Sequence, residues 1–206
     1  MQYMIHAAPP RMWYVDGYLV PSMVEQGIPR EDIEVWNDTD GRGNLYACLD
    51  SFAECGKRDG GTWHLQDDVL ICREFAKRTA ELDGYEVING FACRNFENMQ
   101  HKGRVPACFM WYSFPCTYIP NPVAGDFVEW FYREAQHREE YQKAIAARKS
   151  DDWFFKDYMR EVNGNAHVVN LVPALVDHVD YLIGGTLVNP QRTFKVNRAA
   201  NFPDPD

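Results

Sequence analysis

Short runs rich in β-branched and aromatic residues alternate along this chain with segments of helical period, and the first three such runs each end in a polar cluster. "QYMIHAA" (2–8) reads as a first strand, halted by Pro9 and Pro10, which cannot continue a central ladder. Within "RMWYVDGYLVPSMVEQG" (11–27), Trp13, Leu19, Val20, Met23 and Val24 approximate one helical face, interrupted by Pro21 and closed by Gly27. "DIEVW" (32–36) reads as a second strand that runs into the turn residues of "NDTDGRGN" (37–44). Leu45, Cys48, Leu49, Phe52 and Cys55 then mark one face of a helix. "TWHL" (62–65) is a third strand, followed by Asp67 and Asp68 and by a helix expected through "LICREFAKRTAEL" (70–82). "YEVINGFAC", "ACFMWYSFPCTYI" and "AHVVNLV" read as further strands, and residues 126–148 and 151–161 as helices. The economical architecture is α/β, a mainly parallel sheet flanked by helices.

With 206 residues the chain is expected to form one domain, 1–206. Its apolar fraction of 46% and aromatic fraction of 14% supply enough burial to offset conformational entropy. Thirty acids against 21 bases give a charge of -9, so no global field draws the protein to nucleic acid or an anionic membrane. No apolar run approaches the roughly 18 residues of a membrane span. The start "MQYMIHAAPPRM" lacks the pattern of a secretory signal, so a cytoplasmic setting without membrane partners is expected. Six cysteines, at 48, 55, 72, 93, 108 and 116, include no CxxC pair and read as reduced, buried thiols. The polar end "NFPDPD" is expected to fray.

In open α/β sheets, ligands bind outside the carboxyl ends of the strands. "AAPPR", "NDTDGR" and "QDD" fall at such ends here. Two carboxylates about 4 Å apart repel by roughly 4 kcal/mol at an effective dielectric near 20. A hard divalent cation, Mn2+ or Mg2+, would cancel the repulsion between Asp67 and Asp68 and leave positions for phosphate oxygens. The alternative is a solvated Asp67 with Asp68 capping the next helix. Asp38, helped by Asn37, Asp40 and Arg42, could hydrogen-bond a base or ribose, or these residues could simply build a turn. Pro173 suits the first turn of a short helix carrying His178, which could complete a metal site or serve the fold. His167 is a rival ligand, whereas His6, His64, His101 and His137 have no partner spacing. Asp126 stands where a helix is expected to begin, as a cap or as a general base.

In this order the pieces resemble the GT-A class of nucleotide-sugar glycosyltransferases, with its Rossmann-type nucleotide-binding sheet. The resemblance rests on "AAPPR", on the acidic strand end "NDTDG", on "LQDDV" in place of a DxD-type motif, and on "PALVDH", which looks like the "PSLVxH" segment of several such enzymes. "LVPALVDHVDYLIGG" also looks like a signature of short phage or prophage proteins, which would place the chain in the host cytoplasm. The resemblance implies a nucleotide-sugar donor, a UDP-sugar foremost, bound by residues 1–90, with acceptor recognition in 90–165. It implies that Asp68 and His178 hold the metal, that Asp67 contacts ribose or the metal's water, that Asp38 holds the base, and that Ala8, Pro9 and Arg11 line the nucleotide pocket. Asp126 looks like the acid of the "GED" segment of inverting members, although the text here is "AGDF". The acceptor could be a small molecule, a glycan, a protein or a hydroxylated base in phage DNA. Two other readings remain beside it: a metal-dependent nucleotidyltransferase, and a non-catalytic assembly protein with an aromatic contact surface at Trp111, Tyr112, Phe114, Trp130, Phe131 and Tyr132. No GxxxxGK[ST] phosphate loop occurs.

Overall fold

The computed structural model describes residues 1–82, 84, 86–91, 103–106, 114–162, 168–179 and 183. Among them a seven-stranded sheet has the order β2-β1-β3-β7-β5-β8-β6. Its strands are β1 (Gln2–Ala7), β2 (Ile33–Asn37), β3 (Gly61–Gln66), β5 (Val87–Asn89), β6 (Gly103–Pro106), β7 (Cys116–Pro120) and β8 (Val168–Val172). β1 pairs in parallel with β2 and β3, and β5 with β8, whereas β7 is antiparallel to β3 and β5, and β6 to β8. Five strands therefore share one direction and two oppose it. The α/β class is as expected, and the sheet is mixed.

Side chains alternate across β1, so its two faces feed two cores. Tyr3, Ile5 and Ala7 join Trp63 and Leu65 on one face, under α1 (Met12–Tyr14), a π turn (Val15–Leu19), α2 (Val20–Glu25) and α4 (Phe75–Ala80). Met4 and Ile119 lie on the other face. They pack under α3 (Asn44–Cys55), α5 (Asn121–Arg133), α6 (Glu139–Ala146) and α7 (Asp151–Val162). Pro21 falls in the first turn of α2, where its missing N–H is tolerated. All five residues of the expected α3 stripe are buried, and Gly43 admits the chain to that helix at φ 95, a conformation that favours glycine.

One helix expected from the sequence is a strand, and another is a strand where it was expected to begin. The chain after Asp68 forms β4 (Val69–Ile71), and α4 begins only at Phe75. Likewise Pro173 sits in a turn, and the residues after it form β9 (Val176–His178). The two segments pair antiparallel, Val69 opposite His178, as a separate two-stranded sheet. A short apolar run has no period that separates strand from buried helix, and here tertiary pairing decides.

Phe114, Trp130 and Phe131 are core residues, and Tyr132 is exposed. Cys48, Cys55, Cys72 and Cys116 are buried free thiols, as expected. Cys93, Cys108, His101, Trp111, Tyr112, His167 and the C-terminal tail lie outside the described residues. No helix among the described residues is long and apolar enough to cross a membrane.

The helix pair α3 and α5 meets through glycine. A Cβ on Gly56 would stand 2.7 Å from the Gly125 Cα, whereas one on Gly125 would meet Gly56 Cα at an ordinary 3.4 Å. Gly56→Ala should therefore destabilise the protein by about 1–3 kcal/mol through overpacking. Gly125→Ala should be neutral or stabilising by up to about 1 kcal/mol, because alanine favours helix. Urea denaturation of the two variants should separate them in this order.

Candidate active site

The chain leaves β1 toward one face of the sheet, into α1 and α2, and leaves β2 toward the other face, into α3. A crevice therefore opens between the carboxyl ends of β1 and β2, the place where α/β sheets bind ligands. Ala8 and Pro9 stand on its β1 side and Asp38, half-buried, on its β2 side, with the Asp38 N–H donating to Ala7 O at 2.9 Å. Arg42, expected beside Asp38, instead forms an ion pair with Asp50 of α3.

After Ala8 the 3-10 turn Pro9–Arg11 closes with the Arg11 N–H donating to Ala8 O at 2.9 Å, and the Arg11 side chain turns inward. Its Nη1 donates to Asp67 Oδ1 at 2.8 Å and to Asp68 Oδ2 at 2.6 Å. The second oxygen of Asp67 accepts the Ala8 N–H at 2.7 Å. Adjacent residues of a regular strand point to opposite faces. These two acids converge because the chain turns at Asp67 and Asp68, between β3 and β4. Arg11, Asp67 and Asp68 are each only 5–6% exposed. The countercharge that two adjacent buried carboxylates require is thus supplied by a guanidinium. Asp68 is not a helix cap.

β9 completes the cluster. Its pairing with β4 sets His178 beside the turn, with Nε2 3.5 Å from Asp68 Oδ1, an oxygen that has no hydrogen-bond partner among the described residues. Asp177 Oδ1 accepts the His178 N–H at 2.7 Å, and the Val179 N–H donates to Asp68 O at 2.8 Å. Tyr14 OH donates to Val69 O at 2.9 Å and so ties α1 to the same turn. Among the described residues no group of three or more His, Cys, Asp and Glu side chains could enclose a metal. Asp68 Oδ1 and His178 Nε2 nonetheless lie 3.5 Å apart, close enough to share one cation, and a magnesium-type site typically takes only one or two carboxylates with phosphate and water in the remaining positions. Asp67 does not fit as a direct ligand, because Arg11 and the Ala8 amide engage both its oxygens.

The electrostatics follow from burial. Desolvation raises the Asp67 pKa, with the charge of Asp68 adding to it, and the Ala8 amide and Arg11 offset this only in part. Burial works to lower the pKa of Arg11, but the two carboxylates outweigh it and hold the group above its ordinary value.

Asp126 lies elsewhere. β7 runs against β3, so α5 starts beside Gly61, at the sheet edge opposite the acid turn. Asp126 is exposed on the second turn of that helix, in a groove shared with Lys57, Arg58 and Glu129. The helix begins at Asn121, five residues before Asp126, which corrects the expectation that Asp126 begins it, and the direction of β7 places Asp126 away from the strand-end acids.

Sequence spacing missed a polar layer on the α3 face of β1 and β3. His6 and His64 lie on one face of neighbouring strands, with His6 Nε2 3.1 Å from His64 Nδ1 and 3.1 Å from Ser51 Oγ. Burial lowers the pKa of His6 to about 4, and lowers that of His64 well below its ordinary value, with the nearby His6 adding to the effect.

No protein-family model matches the chain, and no curated protein matches it. Among solved structures, the crystal structure of A197 from STIV is similar over 86% of this chain and 85% of its own, at 17% identity and a TM-score of 0.45. The glycosyltransferase GlyE of Streptococcus pneumoniae TIGR4 is similar over 82% of this chain at 10% identity and a TM-score of 0.47. Its apo form is similar over 79% at 10% identity and a TM-score of 0.40. This chain covers 45% and 49% of those two GlyE chains, about half their length.

Two outcomes are expected here. Arg11→Met should destabilise the fold by about 3–5 kcal/mol, because it leaves buried carboxylates without a countercharge. Adding Asp67→Asn and Asp68→Asn should recover part of that loss in chemical denaturation. The second concerns His6, whose folded pKa of about 4 lies below its ordinary 6.5. The unfolded chain binds more protons between these values, so stability is full above the higher one and falls as pH drops toward the lower. From pH 7 to pH 5 His6 alone should remove about 2 kcal/mol. Asp151, whose pKa burial raises, titrates with the opposite sign. The comparison of wild type with His6→Gln at both pH values isolates the histidine, and equal pH slopes would refute its assignment.

Proposed function

We propose that this chain is a glycosyltransferase that moves a sugar from a nucleotide-sugar donor, a UDP-sugar foremost, to an acceptor hydroxyl, with Mn2+ or Mg2+ at the strand-end cluster. One observation carries the reading: Arg11, Asp67, Asp68 and His178, from three distant segments, meet in a buried cluster at the carboxyl ends of β1 and β3.

Asp38 and the Ala8 to Pro9 edge suit the nucleoside, with the Asp38 carboxylate able to accept from a base N–H or a ribose hydroxyl. Asp67 fixes the Ala8 amide, and through it the wall of the crevice. Asp68 Oδ1 and His178 Nε2 would hold the cation, which when bound supplies Lewis acidity to the departing diphosphate. Arg11 sets the orientation of both acids and adds positive charge near the position of the leaving group. Buried as they are, these groups act at a lower effective dielectric than water offers. Charge developing on a phosphate oxygen is therefore stabilised more strongly in the transition state than in the bound donor.

The test is a thermal-shift panel of UDP, GDP, CDP, their sugars and nucleoside triphosphates, each with and without Mn2+. The melting temperature should rise with at least one diphosphate or nucleotide-sugar only when the metal is present, and Asp68→Ala should abolish the rise while remaining folded. Response to triphosphates alone would identify a nucleotidyltransferase, and no response to any would leave an assembly role.

A further inference from the structure

The acid pair already has a cation. Arg11 Nη1 stands 2.8 Å from Asp67 Oδ1 and 2.6 Å from Asp68 Oδ2, and all three side chains are at least nine-tenths buried. The other oxygen of Asp68 faces His178 Nε2 at 3.5 Å. A divalent ion accepted there would share one carboxylate with the guanidinium. Two positive groups on one buried carboxylate repel, and the repulsion is little screened by solvent or salt. A diphosphate arriving with the ion changes the balance, since its oxygens match the planar guanidinium fork and supply the negative charge that Arg11 shares or loses at Asp68.

We propose, on the basis of the glycosyltransferase reading, that Arg11 is a resident counter-ion of Asp68 that opposes the cation when it comes alone and favours it when a nucleoside diphosphate comes with it. Arg11 thereby suppresses metal binding in the empty protein and strengthens the coupling between metal and donor. Linkage makes this reciprocal, so the metal raises diphosphate affinity by the same factor as the diphosphate raises metal affinity. A single side chain thus commits the site to metal and donor together. Phosphate ligation of the ion would couple the two ligands in any such site, so the distinguishing mark of Arg11 is its effect on the ion alone.

Isothermal titration of Mn2+ into wild type and Arg11→Gln, with and without saturating UDP, tests this. Arg11→Gln should bind Mn2+ alone about tenfold more tightly than wild type, and UDP should improve its Mn2+ affinity by a factor several times smaller than in wild type. Mn2+ should also raise the melting temperature of Arg11→Gln more than that of wild type, because the ion then supplies the missing countercharge. Should Arg11→Gln fail to fold, the same comparison is made between Asp67→Asn and Asp67→Asn with Arg11→Gln, where one fewer buried charge is left unpaired. Metal affinity that is unchanged or weaker without Arg11, with UDP coupling intact, overturns the role of Arg11 and leaves the glycosyltransferase reading standing. Failure of wild type and both Arg11 variants to bind Mn2+ under either condition overturns both.

Discussion

Two adjacent carboxylates are costly to bury together without a positive partner, and the guanidinium of Arg11 between Asp67 and Asp68 is the contact on which the strand-end region depends. It joins the turn after β1 to the turn after β3, and β4 carries the link on to β9 and His178. Such a cluster is a poor source of stability, since removing three charged groups from water offsets much of what their attraction returns. The upward shift of the Asp67 pKa, in spite of its ion pair, is the same imbalance seen from the proton's side. A costly polar group retained at a strand end, where packing would favour an apolar one, is what a functional constraint looks like in a fold otherwise locally consistent.

Strand direction then decides which side chains can serve that cluster. β1, β2 and β3 are parallel, so "AAPPR", "NDTDG" and "QDD" come to one edge of the sheet. β7 reverses the direction and delivers α5, with Asp126, to the other edge. The alternation of elements is visible in the sequence, but the orientation of a strand is not. A motif following a strand can therefore be assigned to the wrong pole even when the strand itself is read correctly. The placement of β9 shows the converse case, since His178 reaches the cluster through strand pairing with no helix to carry it.

Elements with a clear period were legible. β1, β2, β3, α3, α7 and β8 follow from alternation or from an apolar stripe. β4 and β9 were not legible, because Val69–Ile71 and Val176–His178 become strands only by pairing with each other across about half of the chain. Arg11 could be placed at the crevice from "AAPPR", but its double contact could not, since it depends on where β3 ends relative to β1. His6 and His64 were passed over for the same reason. Their contact needs parallel neighbours in a register that sets His6 opposite Gln66 and His64 opposite Met4, both on the face toward α3.

The choice of arginine over lysine at position 11 carries a physical consequence. A lysine ammonium is a compact point charge that would satisfy the two acids by proximity, but it is strongly hydrated and loses its proton readily when buried. A guanidinium keeps its charge at any physiological pH, and it presents donors in a plane from fixed directions. Its Nη1 reaches Asp67 and Asp68 at once, at 2.8 and 2.6 Å, so one group answers both charges. Burial makes any exchange of partners at this guanidinium energetically large. The feature that makes this region costly to fold is thus the one that would give it leverage over phosphate chemistry.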